Sequence, residues 1–283
     1  MQFRRYDNMA AFRSDVLDIL LENEVQNNLL LSLITKSPAR GPADWLLAAI
    51  SDGGAGIVLT AVFIEPFNLL LYETGNTRRD GAAELLAREL LRIGCIPPGV
   101  SGLGDPARRF VAAIAGAGSV SLYMSTSVMR LDKLNPYKKA PGRRRELETR
   151  DMFFAPYWER AFSEDCRSHV FSIPENIERL NTRLGKNTHF IWEDDGLPVS
   201  QAVHGRDTPN GAVINGVYTP PRFRGRGYAT SVVAALTDEL LKRGKRYCCL
   251  IADLDNPVSC GIYRKLGYRD VCRLEDFRFD ISR

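Results

Sequence analysis

Residues 211–244, GAVINGVYTPPRFRGRGYATSVVAALTDELLKRG, constrain the fold more than any other stretch of this chain. The segment begins as an apolar strand over 211–218, turns through two prolines and a run of alternating arginines and glycines, and continues as a helical pattern over 228–243. Glycine lets the backbone approach an anion closely, and the first N–H groups of a helix point toward it without partners in the helix. The turn therefore predicts a phosphate site, although a solvated loop or a nucleic-acid patch would use the same residue types.

Composition bounds the kind of protein that carries this segment. The chain has 283 residues, which suits two domains of about 140 residues each. Its 45% hydrophobic content is ordinary for a globular core, and its net charge of +4 suits an anionic ligand but is weaker than the basic bias typical of nucleic-acid-binding proteins.

The cysteines and the N-terminal sequence indicate a compartment. The six cysteines form no Cys-x-x-Cys pair and the three histidines are scattered, so we expect no metal site and reduced thiols. The first residues lack the apolar core of a signal peptide, and no apolar run approaches ~20 residues. We therefore expect a cytoplasmic protein that does not span a membrane.

A basic, proline-containing stretch near the middle of the chain, NPYKKAPGRRR at 135–145, has no periodicity and is typical of a linker. It predicts one domain over 1–134, a linker over 135–144 and a second domain over 145–283; contact with the phosphates of a partner is the alternative. Strand and helix patterns are mixed in both parts, which indicates an α/β (α+β) fold with a mixed, partly antiparallel central sheet.

The two halves of the chain also resemble each other when the second is shifted back by about 150 residues. The matching residues are Gly225 with Gly75, Gly244 with Gly94, Leu240 and Leu241 with Leu90 and Leu91, Pro257 with Pro106, and Gly267 with Gly116. This predicts an internal duplication. Its first copy lacks three chemically distinctive residues, because Thr77, Asp105 and Ala112 stand where the second copy has Gly227, Asn256 and Tyr263.

The second half resembles the GNAT superfamily of acyl-coenzyme A-dependent N-acetyltransferases over residues 145–280. The turn matches the family's Arg/Gln-x-x-Gly-x-Gly/Ala signature through Arg222, Gly225 and Gly227. The next strand and helix match its Asn-x-x-Ser-x-x-x-Tyr-x-x-x-Gly-Tyr pattern through Asn256, Ser259, Tyr263, Gly267 and Tyr268. With the duplication, the resemblance implies two tandem acyl-CoA N-acyltransferase-like domains, each a mostly antiparallel sheet flanked by helices.

The resemblance implies that acetyl-CoA is the cofactor and that the helix start binds its pyrophosphate. The expected cofactor-binding residues are Val217, Tyr218, Thr219, Arg222, Arg224, Gly225, Arg226, Gly227, Tyr228, Ala229, Thr230, Asn256 and Ser259. Among them, Val217 and Thr219 would pair through their backbones with the pantetheine arm and hold the acyl carbonyl. Each arginine either contacts a phosphate or is solvated, and Asn256 either bonds the pantetheine or caps the helix that follows.

Tyr263 is the expected general acid, because the thiolate that leaves a thioester needs a proton and a tyrosine hydroxyl can donate one. A tyrosine that only packs in the core is the alternative, and Cys260 is expected to pack rather than to act as a nucleophile. The base stays open. The strand before the turn has no carboxylate, which leaves Asp253, Glu193, His204 or a relayed water.

These features predict an enzyme that moves an acetyl group from acetyl-CoA directly to a primary amine of a small molecule or peptide. We expect a monomer or homodimer without membrane partners. Two other functions compete with this prediction. One is a non-catalytic acyl-CoA sensor, and the other is a nucleic-acid-binding module built on the basic run at 138–145, which the modest net charge disfavours.

Overall fold

A computed structural model describes residues 1–36, 45–54, 56–74, 81–114 and 119–280 of the chain. In chain order its elements are β1 (Gln2–Tyr6), α1 (Met9–Leu21), α2 (Asn28–Lys36), β2 (Leu46–Asp52), β3 (Gly56–Phe63), β4 (Leu69–Glu73), α3 (Ala82–Arg92), β5 (Gly99–Leu103), α4 (Gly104–Ile114), β6 (Ser119–Leu131), β7 (Arg143–Glu146), α5 (Ala155–Asp165), α6 (Ile173–Asn181), β8 (His189–Asp194), β9 (Leu197–Asp207), β10 (Gly211–Tyr218), α7 (Tyr228–Lys242), β11 (Tyr247–Asp253), α8 (Pro257–Leu266) and β12 (Arg269–Asp280). Within these described ranges, every helix is too short or too polar to cross a membrane. All six cysteines are free thiols.

The chain forms two compact units. Unit 1 comprises Met1–Val128 and Val271–Arg283, and unit 2 comprises Met129–Asp270. The chain thus passes from one unit to the other inside β6, and most of β12 belongs to unit 1. The predicted domains span 1–134 and 145–283, whereas the chain enters unit 2 at Met129 and leaves it after Asp270.

The predicted linker at 135–144 lies within unit 2. Ala140 is buried in the unit 2 core, and its N–H donates to Ser231 Oγ at 2.8 Å. The N–H of Asn135 donates to the Leu266 carbonyl at 2.9 Å, and β7 already begins at Arg143. The segment packs through backbone hydrogen bonds and through the isolated side chains of Tyr137 and Ala140, which leave no periodic hydrophobic pattern in the sequence.

Unit 1 is a sheet that buries both of its faces. Strands β1 to β4 pair antiparallel in order, β4 pairs parallel with β5, and β12 pairs antiparallel with β5. Successive residues of β2 point to opposite faces. Leu46, Ala48 and Ile50 join the core formed with α3 and α4, and Leu47 and Ala49 join the core formed with α1 and α2.

Unit 2 repeats this plan. Strands β7 to β10 pair antiparallel in order, and β10 pairs parallel with β11. On β8, Phe190 and Trp192 enter the core that α7 and α8 complete, whereas Ile191 enters the smaller core with α5 and α6. The order β-α-α-β-β-β-α-β-α therefore occurs once in each unit.

The repeated order agrees with the predicted internal duplication. Asp105 lies in the first turn of α4 with Pro106 after it, and α8 likewise has Asn256 at its N-cap with Pro257 after it. The matches that involve Gly75, Thr77 and Gly116 lie outside the described residues.

Candidate active site

Strands β10 and β11 separate toward their C-terminal ends. They pair only where Gly211–Val213 faces Tyr247–Cys249, although β10 continues to Tyr218 and β11 to Asp253. On its other side β10 carries a bulge, since Gly216 and Val217 together face a single residue of β9. The space between residues 214–218 and 250–253, called the slot below, therefore exposes unpaired strand backbone that could bind an extended ligand.

The RFRGRG turn lies between β10 and α7 and leaves the head of that helix open. Gly225 and Gly227 have φ of 78° and 82°, a left-handed conformation that glycine adopts readily. Gly227 is the N-cap and offers no capping side chain, so the first-turn amides, including those of Tyr228, Ala229 and Thr230, have no acceptor from the cap. A Cβ at Gly225 would meet nothing within 4 Å. The turn therefore presents open donors at the positive end of a helix dipole, as an anion site requires.

Arg224 bridges the turn and α5. Its Nε donates to the Thr219 carbonyl at 3.0 Å, and its Nη2 donates to Asp165 Oδ2 at 2.7 Å. Both side chains of the ion pair are about half exposed. Arg224 therefore has a positioning contact that the sequence did not predict.

Arg222 and Arg226 of the turn make different contacts from those of Arg224. The Arg222 guanidinium lies 4.7 Å from the centre of the Phe223 ring. Arg226 lies beside Tyr228, whose hydroxyl donates to Asp194 Oδ2 at 2.5 Å, and this hydrogen bond raises the pKa of Tyr228. The Tyr228 side chain thus ties the helix start to the β8–β9 turn, whereas its backbone stays in the open first turn.

The end of β10 is held by β9. Ser200 Oγ donates to the Tyr218 carbonyl at 3.1 Å and lies 2.8 Å from Thr219 Oγ1. Val217 is half-buried against the core formed with α7. The Trp158 ring of α5 packs on Tyr218 with centroids 6.0 Å apart. Val217 and Thr219, which are predicted to hold the acyl carbonyl, therefore lie with Tyr218 at the edge of the slot.

Asn256 and Ser259 begin α8 at the end of β11. The Asn256 side chain accepts the Ser259 N–H at 3.1 Å, so Asn256 is a helix cap. The cap uses its carboxamide oxygen, and the carboxamide nitrogen is a donor that the cap does not use.

Tyr263 lies about two turns after Asn256 along α8. It is buried, with 8% of its surface exposed. Its ring packs edge-on against Tyr268 at 6.0 Å. Burial raises its pKa, with smaller effects from Cys166 and Cys260, so the hydroxyl stays protonated. Cys260 itself is buried, and its thiol donates to the Asp253 carbonyl at 3.4 Å.

Asp253 ends β11 beside the slot and is already paired. Its Oδ2 accepts from Arg167 Nη2 at 2.9 Å, and its Oδ1 accepts the Asp255 N–H at 3.0 Å. Both oxygens of the Asp253 carboxylate therefore already accept hydrogen bonds.

Glu193 and His204 are engaged elsewhere in unit 2. Glu193 Oε2 accepts from Arg145 Nε at 2.6 Å, and this bond lowers the pKa of Glu193. Burial lowers the pKa of His204, whose Nε2 lies 2.9 Å from Asp207 Oδ1. His204 pairs with Ile214, at the closed end of the slot.

A buried carboxylate that the sequence analysis did not single out lies against the bulge. Glu159 of α5 accepts from Gln201 Nε2 at 3.0 Å through Oε1 and from Arg183 Nη1 at 3.1 Å through Oε2. Gln201 Nε2 also donates to the Gly216 carbonyl at 3.3 Å. The signal in the sequence was slight, namely a glutamate among the apolar and aromatic residues of APYWERAF.

The corresponding region of unit 1 is closed by side chains. A Cβ on Gly102 of β5 would lie 2.9 Å from the Leu71 carbonyl of β4, so the two strands approach closely there. Arg109 of α4 donates to Glu73 Oε2 at 2.5 Å, and both side chains are 8% exposed. A buried ion pair thus fills the end of the strand pair that is open in unit 2.

The second half of the chain matches a known protein family. The FR47-like protein model matches residues 196–276. An acetyltransferase of Photorhabdus laumondii is 32% identical over 124 residues, which span 39% of this chain and 85% of that protein. The chain belongs to the GNAT superfamily. This GNAT chain is an acyltransferase, and the resemblance drawn from its two signatures is confirmed.

Solved structures extend the likeness to the whole GNAT chain. A GCN5-related N-acetyltransferase from Sphaerobacter thermophilus, 16% identical, has a TM-score of 0.67 and covers 99% of this chain and 96% of that one. A tandem GNAT protein from the clavulanic acid biosynthesis pathway, also 16% identical, has a TM-score of 0.55 and covers 100% and 99%. At these identities the likeness concerns the fold. The predicted fold class, two tandem GNAT-like domains, is confirmed.

Proposed function

We propose that unit 2 transfers an acetyl group from acetyl-CoA to a primary amine by direct attack, with Tyr263 as general acid. Two observations support this proposal: β10 and β11 separate ahead of the uncapped start of α7, and α8, which follows β11, carries a buried tyrosine. Unit 1 has a closed counterpart, so we assign the chemistry to unit 2.

The described residues fit coenzyme A. The amides at the head of α7 would hold the pyrophosphate, and the unpaired backbone at Val217 and Thr219 would pair with the pantetheine arm. The Asn256 carboxamide nitrogen is a further donor at the slot. Arg222 and Arg226 could add charge-assisted contacts, whereas Arg224 would first have to leave Asp165.

Acetyl-CoA supplies the acetyl group as an activated thioester. Backbone groups of residues 217–219 would orient its carbonyl, and the slot walls would exclude water. The Tyr263 hydroxyl, which burial keeps protonated, would give its proton to the departing sulfur. The acceptor is an amine of a small molecule or peptide, and its attack requires the neutral form.

Replacing Tyr263 with phenylalanine tests the proposal. We expect turnover to fall by about 10²–10⁴-fold, because a general acid is lost, while the dissociation constant of acetyl-CoA changes little. Tyr268→Phe is the matched control. It removes a buried hydroxyl that bonds Thr237 at 2.8 Å, so we expect it to reduce stability by about 1 kcal/mol and to leave turnover near the wild-type value.

Two results would contradict the proposal. One is the absence of acetyl-CoA binding by the wild-type protein in calorimetry. The other is full turnover by the Tyr263→Phe variant with a panel of primary amines.

A further inference from the structure

Glu159 lies on the buried face of α5 and points at the bulge of β10. It is 8% exposed, and a Cβ built on Gly216 would lie 3.8 Å from its Oε1. Gly216 has φ of 59° and no side chain, so the carboxylate faces strand backbone directly. The next residue is Val217, which our proposed function places at the acyl carbonyl.

The Gln201 amide ties this carboxylate to the same strand. Its Nε2 donates both to Glu159 Oε1 and to the Gly216 carbonyl, at 3.0 and 3.3 Å. Gln201 is fully buried on β9. The position of Oε1 is therefore fixed relative to the bulge, within reach of a group bound at residues 216–217.

The two oxygens of Glu159 differ in their surroundings. Oε2 accepts from the Arg183 guanidinium, whereas the one hydrogen-bond donor to Oε1 among the described residues is the neutral Gln201 amide. Asp253 and Glu193 likewise accept from an arginine and from a second donor, so what sets Glu159 apart is the position of its Oε1 at the β10 bulge. A carboxylate oxygen can accept more than one hydrogen bond, so Oε1 can accept one from a bound group in addition to that from Gln201.

Charged groups from several elements lie around Glu159. Arg179 of α6 and Arg183 of the turn after it supply positive charge that acts on Glu159, and Asp151 acts electrostatically on the neighbouring His189. His189 on β8 contacts Gln201 Oε1 at 3.3 Å, and burial lowers the pKa of His189 to about 4, so its ring is neutral at pH 7. No second carboxylate hydrogen-bonds to this cluster within the described part of the chain.

Aromatic rings lead from the surface to this position. Exposed Phe153 packs on Phe154 at 5.2 Å, Phe154 packs on Trp158 at 4.5 Å, and Trp158 packs on Tyr218 at 6.0 Å. Trp158 is the neighbour of Glu159 in sequence. An amine that moves along these rings loses water, and desolvation favours its neutral, attacking form.

We propose that Glu159 is the catalytic proton acceptor of the acyl transfer, a role that rests on the proposed function. The neutral amine attacks the thioester carbonyl, the N–C bond forms and the C–S bond breaks. The nitrogen becomes positively charged and gives one proton to Glu159 Oε1, and the departing sulfur takes one proton from Tyr263. Solvent then removes the proton from Glu159 and returns one to Tyr263.

Kinetics of three variants of the full chain test this role. We expect Glu159→Gln to lower kcat by about 10²–10⁴-fold while the acetyl-CoA dissociation constant stays within twofold. Glu159→Asp keeps a carboxylate on a shorter side chain, and its kcat should lie between those of the wild type and Glu159→Gln. Glu164→Gln, on the exposed side of the same helix, should match the wild type.

Chemical rescue separates a catalytic role from a structural one. Glu159→Ala leaves the Gln201 and Arg183 donors in place, so added formate should occupy the vacated position and raise kcat at least tenfold. Formate should not rescue Tyr263→Phe. The proposal is overturned if Glu159→Gln keeps kcat within threefold of the wild type. It is also overturned if the Glu159 variants lose acetyl-CoA affinity in parallel with turnover and formate restores nothing. Failure of the proposed function is a different result, the lack of acetyl-CoA binding by the wild type.

Discussion

Replacing Arg109 with methionine should destabilise unit 1 through the partner that it leaves behind. Glu73 is buried, and Arg109 supplies its one charge-assisted hydrogen bond among the described residues. Its other oxygen, Oε1, is buried and has no hydrogen-bond partner within the described ranges, so these residues cannot compensate for the loss. Methionine fills a similar volume, which confines the effect to charge and hydrogen bonding.

The expected cost is about 3–5 kcal/mol, the range for removing one partner of a buried ion pair. This corresponds to roughly 10 °C in Tm. Glu73→Leu should cost less, because Arg109 keeps Asp105 at 3.0 Å and Glu84 at 3.5 Å. The double variant Arg109→Met/Glu73→Leu should lie within about 1 kcal/mol of the wild type or above it, since an apolar pair of similar volume replaces the ions.

Calorimetric unfolding of the four proteins at pH 7 and pH 5 measures these differences. Burial raises the pKa of Glu73, so acid neutralises the abandoned carboxylate and the deficit of Arg109→Met should shrink at pH 5. The reasoning is refuted if Arg109→Met costs less than about 1 kcal/mol, or if the double variant is as unstable as that single one.

Three further predictions follow from other parts of the chain. Gly227→Ala should weaken coenzyme A binding at least tenfold in calorimetry. The reason is that its Cβ is strained at this left-handed φ and contacts Ala140 at 3.7 Å, which displaces the amides at the head of α7. Gly244→Ala has the same left-handed strain at the other end of α7 and should bind normally, and equal binding by both would contradict the anion site. His189 has a folded pKa of about 4, below its ordinary value of 6.5, so stability present above pH 6.5 is lost toward pH 4 by about 3 kcal/mol. In urea unfolding, the stability lost between pH 6.5 and pH 4 should be smaller for His189→Gln than for the wild type, whereas exposed His169→Gln should lose as much as the wild type. Equal dependence of stability on pH in His189→Gln and the wild type would exclude His189 as the cause. Removing residues 271–283 should accelerate amide exchange in β5, the strand with which β12 pairs, and unchanged exchange there would contradict the pairing.

The second half of unit 2 could be predicted closely because its signals are local. The predicted bounds of β10 coincide with the observed ones, and the predicted end of α7 differs from the observed end by one residue. Two prolines follow soon after the end of the strand, and the helix begins after a left-handed glycine. Each of these features depends on neighbours in sequence and not on the rest of the fold.

Features that depend on distant partners could not be predicted in this way. β12 belongs to unit 1 through its pairing with β5, more than 150 residues away in sequence, and no local pattern encodes that choice. Local patterns also do not mark β5, α4 and β6, which lie between Gly94 and Asn135. β5 contains two glycines in five residues, which lowers its strand propensity, yet Gly99 and Gly102 are needed where neighbouring strands approach closely.

The residues of the candidate site also divide into those in local sequence motifs and those that meet only in the fold. Gly225, Gly227 and Tyr263 belong to motifs with fixed spacing, so the sequence located them. Glu159 and Gln201 meet across two elements, and only their shared burial against the bulge distinguishes them from the other polar residues of the chain.

A crystal structure with bound coenzyme A tests the central claim most directly. The account predicts that pyrophosphate oxygens accept hydrogen bonds from the backbone amides of residues 225–230, and that the pantetheine sulfur lies in the slot within reach of the Tyr263 hydroxyl. A cofactor bound away from the head of α7, or a sulfur that the hydroxyl cannot reach, would contradict it.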